Sequence, residues 1–363
     1  MEMPSPVAEP RCRMRDGCLT LIGAAFAAAL GSTAVIVVHG QTRAPKSTAP
    51  STFSRTAWGD PDLQGVWNYA AGTPFERPAE FAGKATLNDE ELAREESRVR
   101  ERGNGDRRDD GRADLDLNRE HNEFWFSRRT RILTRRTSLI TDPVDGKLPP
   151  MTPNAVQAQA ARAAAQRVRG PADSWEDRSL NERCLINEAF GPPILPRVML
   201  GGIFDIVFGH QFHFRILQSA GYVTILAEYV QGVRIIPLDA RPHIPGAVQQ
   251  WLGDSRGHWE GNTLVVETTN FHTKRAVAGF PAGNVRLVER WARTERDTLD
   301  YQFTVDDPTT WTKPWTAAVP IERTNGEIYE FACHEGNYGL ANILSAARSD
   351  ERQSGAAAQR ERR

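Results

Sequence analysis

The sequence predicts a mainly β protein: an antiparallel β-barrel of lipocalin or calycin type, or a β-sandwich, with two helices inserted in its N-terminal half. Three observations predict it. From about Ile203 to Cys333 eight short apolar or alternating runs follow one another (IFDIVF, HFRILQ, YVTILAEYV, VRIIPL, LVVETTNF, VRLVERW, LDYQFTV and IYEFAC). Turn residues separate them at roughly ten-residue intervals, the spacing of antiparallel β architectures. Two connections, Glu260-Gly261-Asn262 and Gln231-Gly232, carry hairpin chemistry. Ahead of this run, two stretches carry helix signals instead.

In chain order, the first element is an export segment. Arg11, Arg13 and Arg15 precede an uncharged stretch from Cys18 to Val38, the pattern of a positive n-region and an apolar h-region. Val38-His39-Gly40 suits a signal peptidase, so residues 1–40 read as a cleaved signal peptide. The alternative is an uncleaved anchor, since about 20 apolar residues also span a bilayer. In either case the remainder works as a periplasmic or secreted domain. Residues 41–57, rich in Ser, Thr, Pro and Ala, read as a linker. One β-rich domain is expected over 58–348, followed by a polar, frayed tail over 349–363.

Within that domain, Gly59-Asp60-Pro61 makes a turn before a strand holding Gly65, Val66 and Trp67. Asn88 caps a helix near 88–102, with Glu91 at the capping-box position. Residues 103–116 form a charged, glycine-punctuated loop. The run ending at Ile140 reads as a strand before the turn Asp142-Pro143-Val144-Asp145-Gly146. Thr152, Pro153 and Gly170 then bound a second, alanine-rich helix near 153–169. At the far end, Leu340 to Arg348 reads as a short helix.

With 45 Lys plus Arg against 46 Asp plus Glu, no charge excess draws the chain to nucleic acid. The partner expected is a small molecule, with a membrane involved only through the N-terminal segment. Removing the leader leaves Cys184 and Cys333 as the only thiols of the mature domain, and one disulfide is the default expectation in an oxidising compartment. No GxGxxG after a strand, GxxxxGK[ST] or HExxH is present, and Gly253-Asp254-Ser255-Arg256-Gly257 reads as a turn rather than as a GxSxG nucleophile elbow, so no cofactor and no metal is expected.

The phrases GDPDLQGVWN, RIIPLDARPH, WLGDSRGHWEGNTLVVETTNF, VDDPTTWTKPWTA and FACHEGNYGLANIL resemble a large, uncharacterised group of exported bacterial proteins. That resemblance covers most of Trp58 to Ala347 and implies no activity. Gly65-Val66-Trp67 is also similar to the G-x-W entry of lipocalin-like barrels, which implies a barrel around a ligand.

Strand parity selects carboxylates among apolar neighbours: Glu289 beside Leu287 and Trp291, Glu228 beside Leu226, and Glu267 beside Val265. Desolvation can fit such groups for acid–base work, whereas pairing with Arg234, Arg286 or Arg290 would make them structural. A second constellation is read as loop-borne: Arg241 and His243 in LDARPH, then Asp254, Arg256 and Trp259 in GDSRGHWEG, then His334, Glu335, Asn337 and Tyr338 in CHEGNYG. Glu289, His243, His334, Glu335, Asp254 and Arg256 are the catalytic candidates. Arg241, Trp259, Glu228, Glu267, Asn337, Tyr338, Trp311 and Trp315 are the substrate-binding candidates, the tryptophans as aromatic surfaces at a pocket mouth. The function expected is binding of a small, partly apolar molecule with cofactor-free acid–base chemistry on it. The alternatives are a plain carrier, or a structural protein with a filled barrel.

Overall fold

The computed structural model describes residues 54–68, 72–103, 134–168, 170–180, 182–186, 213–228, 232–274, 276–277 and 280–361. The export segment and the run IFDIVF lie outside them. Nine antiparallel strands form a nearly closed barrel in the order β5-β4-β3-β1-β12-β11-β10-β7-β6. These are β1 (Gly65–Asn68), β3 (His213–Ser219), β4 (Tyr222–Ala227), β5 (Val233–Pro237), β6 (Asp254–Glu260), β7 (Thr263–Thr269), β10 (Arg286–Glu295), β11 (Thr298–Asp306) and β12 (Trp315–Arg323). Strand β2 (Ile140–Asp142) adds to β12, while β8 (Ala276–Val277) and β9 (Phe280–Pro281) pair with each other.

Both expected helices form. Helix α1 (Asp89–Gly103) begins with the capping box: the Glu91 N–H donates to Asn88 Oδ1 at 2.9 Å, and the Asn88 N–H donates to Glu91 Oε2 at 2.9 Å. Helix α2 (Pro153–Val168) is capped by Thr152 Oγ1, which accepts from the Ala155 N–H at 3.1 Å.

Four expectations are corrected. Order starts earlier than Trp58, because Ser54 to Asp62 is already a bonded turn and Arg55 reaches Asn262 Oδ1 at 3.1 Å. At the other end the tail is helical: α3 runs Tyr338–Glu361, its alanines and long charged residues sustaining the helix that Leu340 begins. IYEFAC is not a strand, since β12 already pairs with β1 on one side and β11 on the other and offers it no edge. GDSRGHWEG is not a loop: it is β6, whose outward positions Asp254, Arg256, His258 and Glu260 are all polar, while Ser255, Gly257 and Trp259 point inward.

The core is the barrel interior, packed with Trp67, Phe214, Leu264, Trp291, Tyr301, Phe303, Trp315 and Ile321. A fully buried apolar side chain of this kind contributes about 1.5–3 kcal/mol. One end is closed by the G-x-W strand. Trp67 Nε1 donates to the Leu63 carbonyl at 3.0 Å, and the Arg293 and Arg323 guanidinium carbons lie 5.6 and 5.5 Å from its ring centroid. Gly65 is required there, because a Cβ would meet Arg323 Nη2 at 2.6 Å and its φ is +144°. At the other end Phe75 meets Trp315 edge-on at 5.7 Å, and Leu139 and Ile140 join the same core.

The two ends of the strand order, β5 and β6, pack beside each other without the backbone ladder that joins every other neighbouring pair. Gly257 permits this approach: a Cβ would meet Leu238 Cδ2 at 2.7 Å and Ile236 Cγ2 at 2.8 Å. Side chains therefore have to close this seam.

Candidate functional site: a polar knot inside the barrel and an ionic clasp outside it

Arg234 is the inward residue of β5 that crosses the seam. Its guanidinium forks onto Glu289 of β10, Nη1 donating to Oε1 at 3.0 Å and Nη2 to Oε2 at 2.5 Å. Nη2 also donates to Ser255 Oγ of β6 at 3.1 Å and Thr268 Oγ1 of β7 at 3.2 Å, and these two hydroxyls lie 2.9 Å apart. Tyr301 of β11 donates its phenol hydrogen to Glu289 Oε1 at 2.9 Å. Arg234, Glu289 and Tyr301 are at most 2 % exposed, so the knot is dry. Strand parity places Glu289 inside, as the sequence implied, and both of its oxygens are held by neighbours.

Around this knot stand N–H groups with no acceptor among the described residues: Arg234 Nε, Trp259 Nε1, Trp291 Nε1 and Trp315 Nε1. The register places Trp259 and Trp291 on one wall, whereas Trp315 stands on β12 at the end where it meets Phe75. Trp259, Leu264 and Trp291 form one inward row across β6, β7 and β10, next to the row holding Gly257, Val266 and Glu289. Trp291 stacks on Tyr301 at 3.9 Å, so the indole and the phenol share one aromatic surface. Each buried donor left without a partner costs about 1–3 kcal/mol.

A different group assembles on the outer face of β6, β7 and β10. His243 Nδ1 lies 2.8 Å from Asp254 Oδ2, and its Nε2 lies 3.3 Å from Glu267 Oε1. Arg256 Nη1 donates to Asp254 Oδ1 at 2.6 Å, the Ile244 N–H donates to Asp254 Oδ2 at 3.1 Å, and Arg286 Nη2 donates to Glu267 Oε2. An imidazole with a carboxylate at each nitrogen has no nitrogen left for substrate. The arrangement clasps the 238–253 loop onto the sheet. Beside it Glu260 is drawn below the ordinary carboxylate range, first by the Arg290 hydrogen bond and then by His258.

The remaining candidates do not converge on either group. Arg241 pairs with Asp239, holding that carboxyl down to about 2, and donates to the Tyr222 hydroxyl at 3.1 Å. Glu228 follows the end of β4 rather than continuing its alternation, and its buried carboxylate lies 3.4 Å from His213 and accepts from the Tyr329 N–H at 3.3 Å. His334 and Glu335 are exposed on the turn before α3, Tyr338 is exposed at its first residue, and Asn337 Nδ2 donates to the Glu182 carbonyl at 3.2 Å. Trp311 and Trp315 belong to the core and face each other edge-on at 6.4 Å, instead of lining a mouth. Cys184 and Cys333 form the expected disulfide, with Cα atoms 5.6 Å apart.

Sequence reasoning gave Arg234, Arg286 or Arg290 as possible structural partners of Glu289, Glu228 and Glu267; Glu289 pairs with Arg234 and Glu267 with Arg286, whereas Glu228 lies against His213 and Arg290 pairs with Glu260. It missed Tyr301, Ser255 and Thr268 as members of the interior knot. Parity gave a signal for Tyr301, which alternates with Leu299, Phe303 and Val305 as an inward residue. Among the described residues no group of three or more His, Cys, Asp or Glu is placed to hold a metal ion, and no helix is long and apolar enough to cross a membrane.

No family model matches the chain, and no curated protein does. Among solved structures, a secretary abundant heat soluble (SAHS) protein from Ramazzottius varieornatus is similar over 31 % of this chain and 70 % of its own, at 13 % identity and a TM-score of 0.21. The barrel is a fold compatible with small-ligand binding, and the disulfide fits a non-reducing compartment.

Proposed function

We propose that the chain is an exported binding protein that holds a small, partly apolar molecule at the barrel, against the inward row of Trp259, Leu264 and Trp291, whose outer member Trp259 is partly exposed. The observation that carries this reading is Trp259 of the seam strand β6, a partly exposed indole whose N–H has no acceptor among the described residues. An acceptor on the bound molecule would satisfy that indole N–H. The surrounding indole and phenol rings supply the apolar contact such a molecule needs.

A thermal-shift screen of small, partly apolar molecules, followed by tryptophan-fluorescence titration of the hits, tests it. Hits should raise the melting temperature of the wild type and lose affinity in Trp291→Phe. If hits bind that variant and Trp259→Phe as tightly as the wild type, the site is not this row. Export is tested by fusing residues 1–57 to an alkaline phosphatase that is active only outside the cytoplasm. Absence of reporter activity would refute it.

A second reading, acid–base turnover of the bound molecule, is favoured by the 2.9 Å contact between the Tyr301 hydroxyl and Glu289. These two groups are a proton donor and acceptor facing the same wall. Chemical conversion of a bound hit, abolished in Tyr301→Phe while binding persists, would establish it.

A further inference from the structure

Strand β5 has one satisfied side and one open side. Two bonds at its ends set its register on β4: the Ala227 N–H donates to the Gly232 carbonyl at 2.8 Å, and the Leu238 N–H donates to the Gly221 carbonyl at 2.9 Å. In an antiparallel pair only alternate residues exchange backbone bonds with a given neighbour. The residues of β5 bonded to β4 are therefore Arg234 and Ile236, opposite Ile225 and Val223. The N–H and C=O groups of Val233 and Ile235 face the seam, where among the described residues no ladder joins β5 to β6. Strand β6 meets β5 through the side chains of its inner face instead, Gly257 lying against Ile236 and Leu238.

The outer surface beside this edge is apolar. Ile235 is 62 % exposed, Val233 47 % and Leu217 46 %. The register places Leu217, Thr224 and Ile235 in one outward row across β3, β4 and β5, with Leu226 and Val233 in the next. Natural proteins guard an open edge strand with charge, proline or a bulge. On β5 only Pro237, at its last position, gives such protection. An unpaired backbone edge selects its partner by chemistry, because donors and acceptors repeating every second residue are matched by another extended polypeptide.

We infer that the open edge of β5 is a strand-addition site for an extended peptide whose alternate residues are apolar and β-branched. Backbone bonds to Val233 and Ile235 hold the peptide, and its apolar side chains lie on the outer surface beside the side chains of those two residues. Pro237 lacks an N–H and ends the pairing. Arg234 and Glu289 stay beneath, inside the barrel, so this site is separate from the row of Trp259 and Trp291.

The test titrates the purified full-length chain into a fluorescein-labelled peptide, KVTVTVK, whose terminal lysines keep it soluble, and reads binding by fluorescence anisotropy. The same peptide N-methylated on its valines keeps every side chain and loses the donors that face β5; it should bind at least about tenfold more weakly. In the complex, amide exchange should slow at Val233 and Ile235 and stay unchanged at Arg234, whose N–H already belongs to the β4 ladder. Ile235→Pro removes a seam-facing N–H and spares that ladder, and should weaken binding about fivefold. If that variant does not fold, Ile235→Lys, which places a charge on the edge, should weaken binding as well. Equal affinity for the two peptides, no binding of either, or unchanged exchange at Val233 and Ile235 in the bound state overturns the inference. So does a concentration-dependent dimer, seen by analytical ultracentrifugation and abolished in Ile235→Lys, with no peptide bound, because the edge would then serve a second copy.

Discussion

Replacing Glu289 by Gln leaves the protein's shape intact and removes the charge that faces Arg234. The two side chains make a forked pair at 2.5 and 3.0 Å with both partners at most 2 % exposed, so no solvent screens the loss. The guanidinium would remain buried, with Ser255, Thr268 and a neutral amide as its partners. Breaking a buried pair from one side costs about 3–5 kcal/mol. Arg234→Met should cost a similar amount, because it strands the carboxylate with Tyr301 alone. The double variant Arg234→Met/Glu289→Leu removes both charges together and should lie within about 1–2 kcal/mol of the wild type. Urea denaturation of the four proteins gives the cycle, with a coupling energy of several kcal/mol expected. Two single variants within about 1 kcal/mol of the wild type would refute the buried-pair reasoning, and so would additive effects.

Further predictions concern the outer face, pH and the seam. His243→Ala should cost about 1–2 kcal/mol and speed amide exchange at Ile244, whose N–H donates to the same Asp254 oxygen; an unchanged exchange rate would remove the clasp role. Burial, only partly offset by Arg136, raises the Asp300 carboxyl above its ordinary value. The folded state therefore binds that proton more tightly than the unfolded chain does. Its stabilising effect is complete in acid and lost as pH rises through the raised pKa. Asp300→Asn should accordingly raise the melting temperature at pH 7, with the gain vanishing towards pH 3; a constant gain would point to another cause. Cys184→Ser closes no loop where the wild type closes one of sequence separation 149, for which chain entropy sets a bound of about 5 kcal/mol. Its α3 should become the first protease-sensitive segment. Gly257→Val should destabilise by about 1–3 kcal/mol through its clash with Leu238 and Ile236, measured by thermal melting.

The barrel was legible where apolar alternation was strong. YVTILA, VRIIP, TLVVETT and RLVERW are strands because apolar residues alternate inward along them: Val223 and Ile225, Ile236, Leu264 and Val266, and Leu287 and Trp291. Two strands carried no such signal. In β6 the inward residues are Ser255, Gly257 and Trp259, small or polar because the seam is narrow and Arg234 needs hydroxyls there. In β12 Pro320 follows Ala317, Ala318 and Val319 within the strand, which demotes it as a central strand. The site was legible in part for the same reason. Parity put Glu289 among apolar neighbours and offered Arg234 as one of three possible partners, yet it could not say which loop folds back over which strand. His243 and Asp254 therefore looked like equipment for a pocket and turned out to be a fastening on the outer wall.

The seam between β5 and β6 has a consequence for how the barrel's axial alignment is set. At each of the other junctions, repeating backbone hydrogen bonds fix how far one strand is slid along its neighbour. Here that offset can be chosen only by side chains, and Arg234 is the one that spans β5, β6, β7 and β10 at once. A two-residue slip would carry its guanidinium past Glu289 and leave both charges alone in hydrocarbon. The pair thus works as a gauge: it adds little to the energy of the correct barrel relative to an apolar filling, and it makes the misaligned barrels expensive.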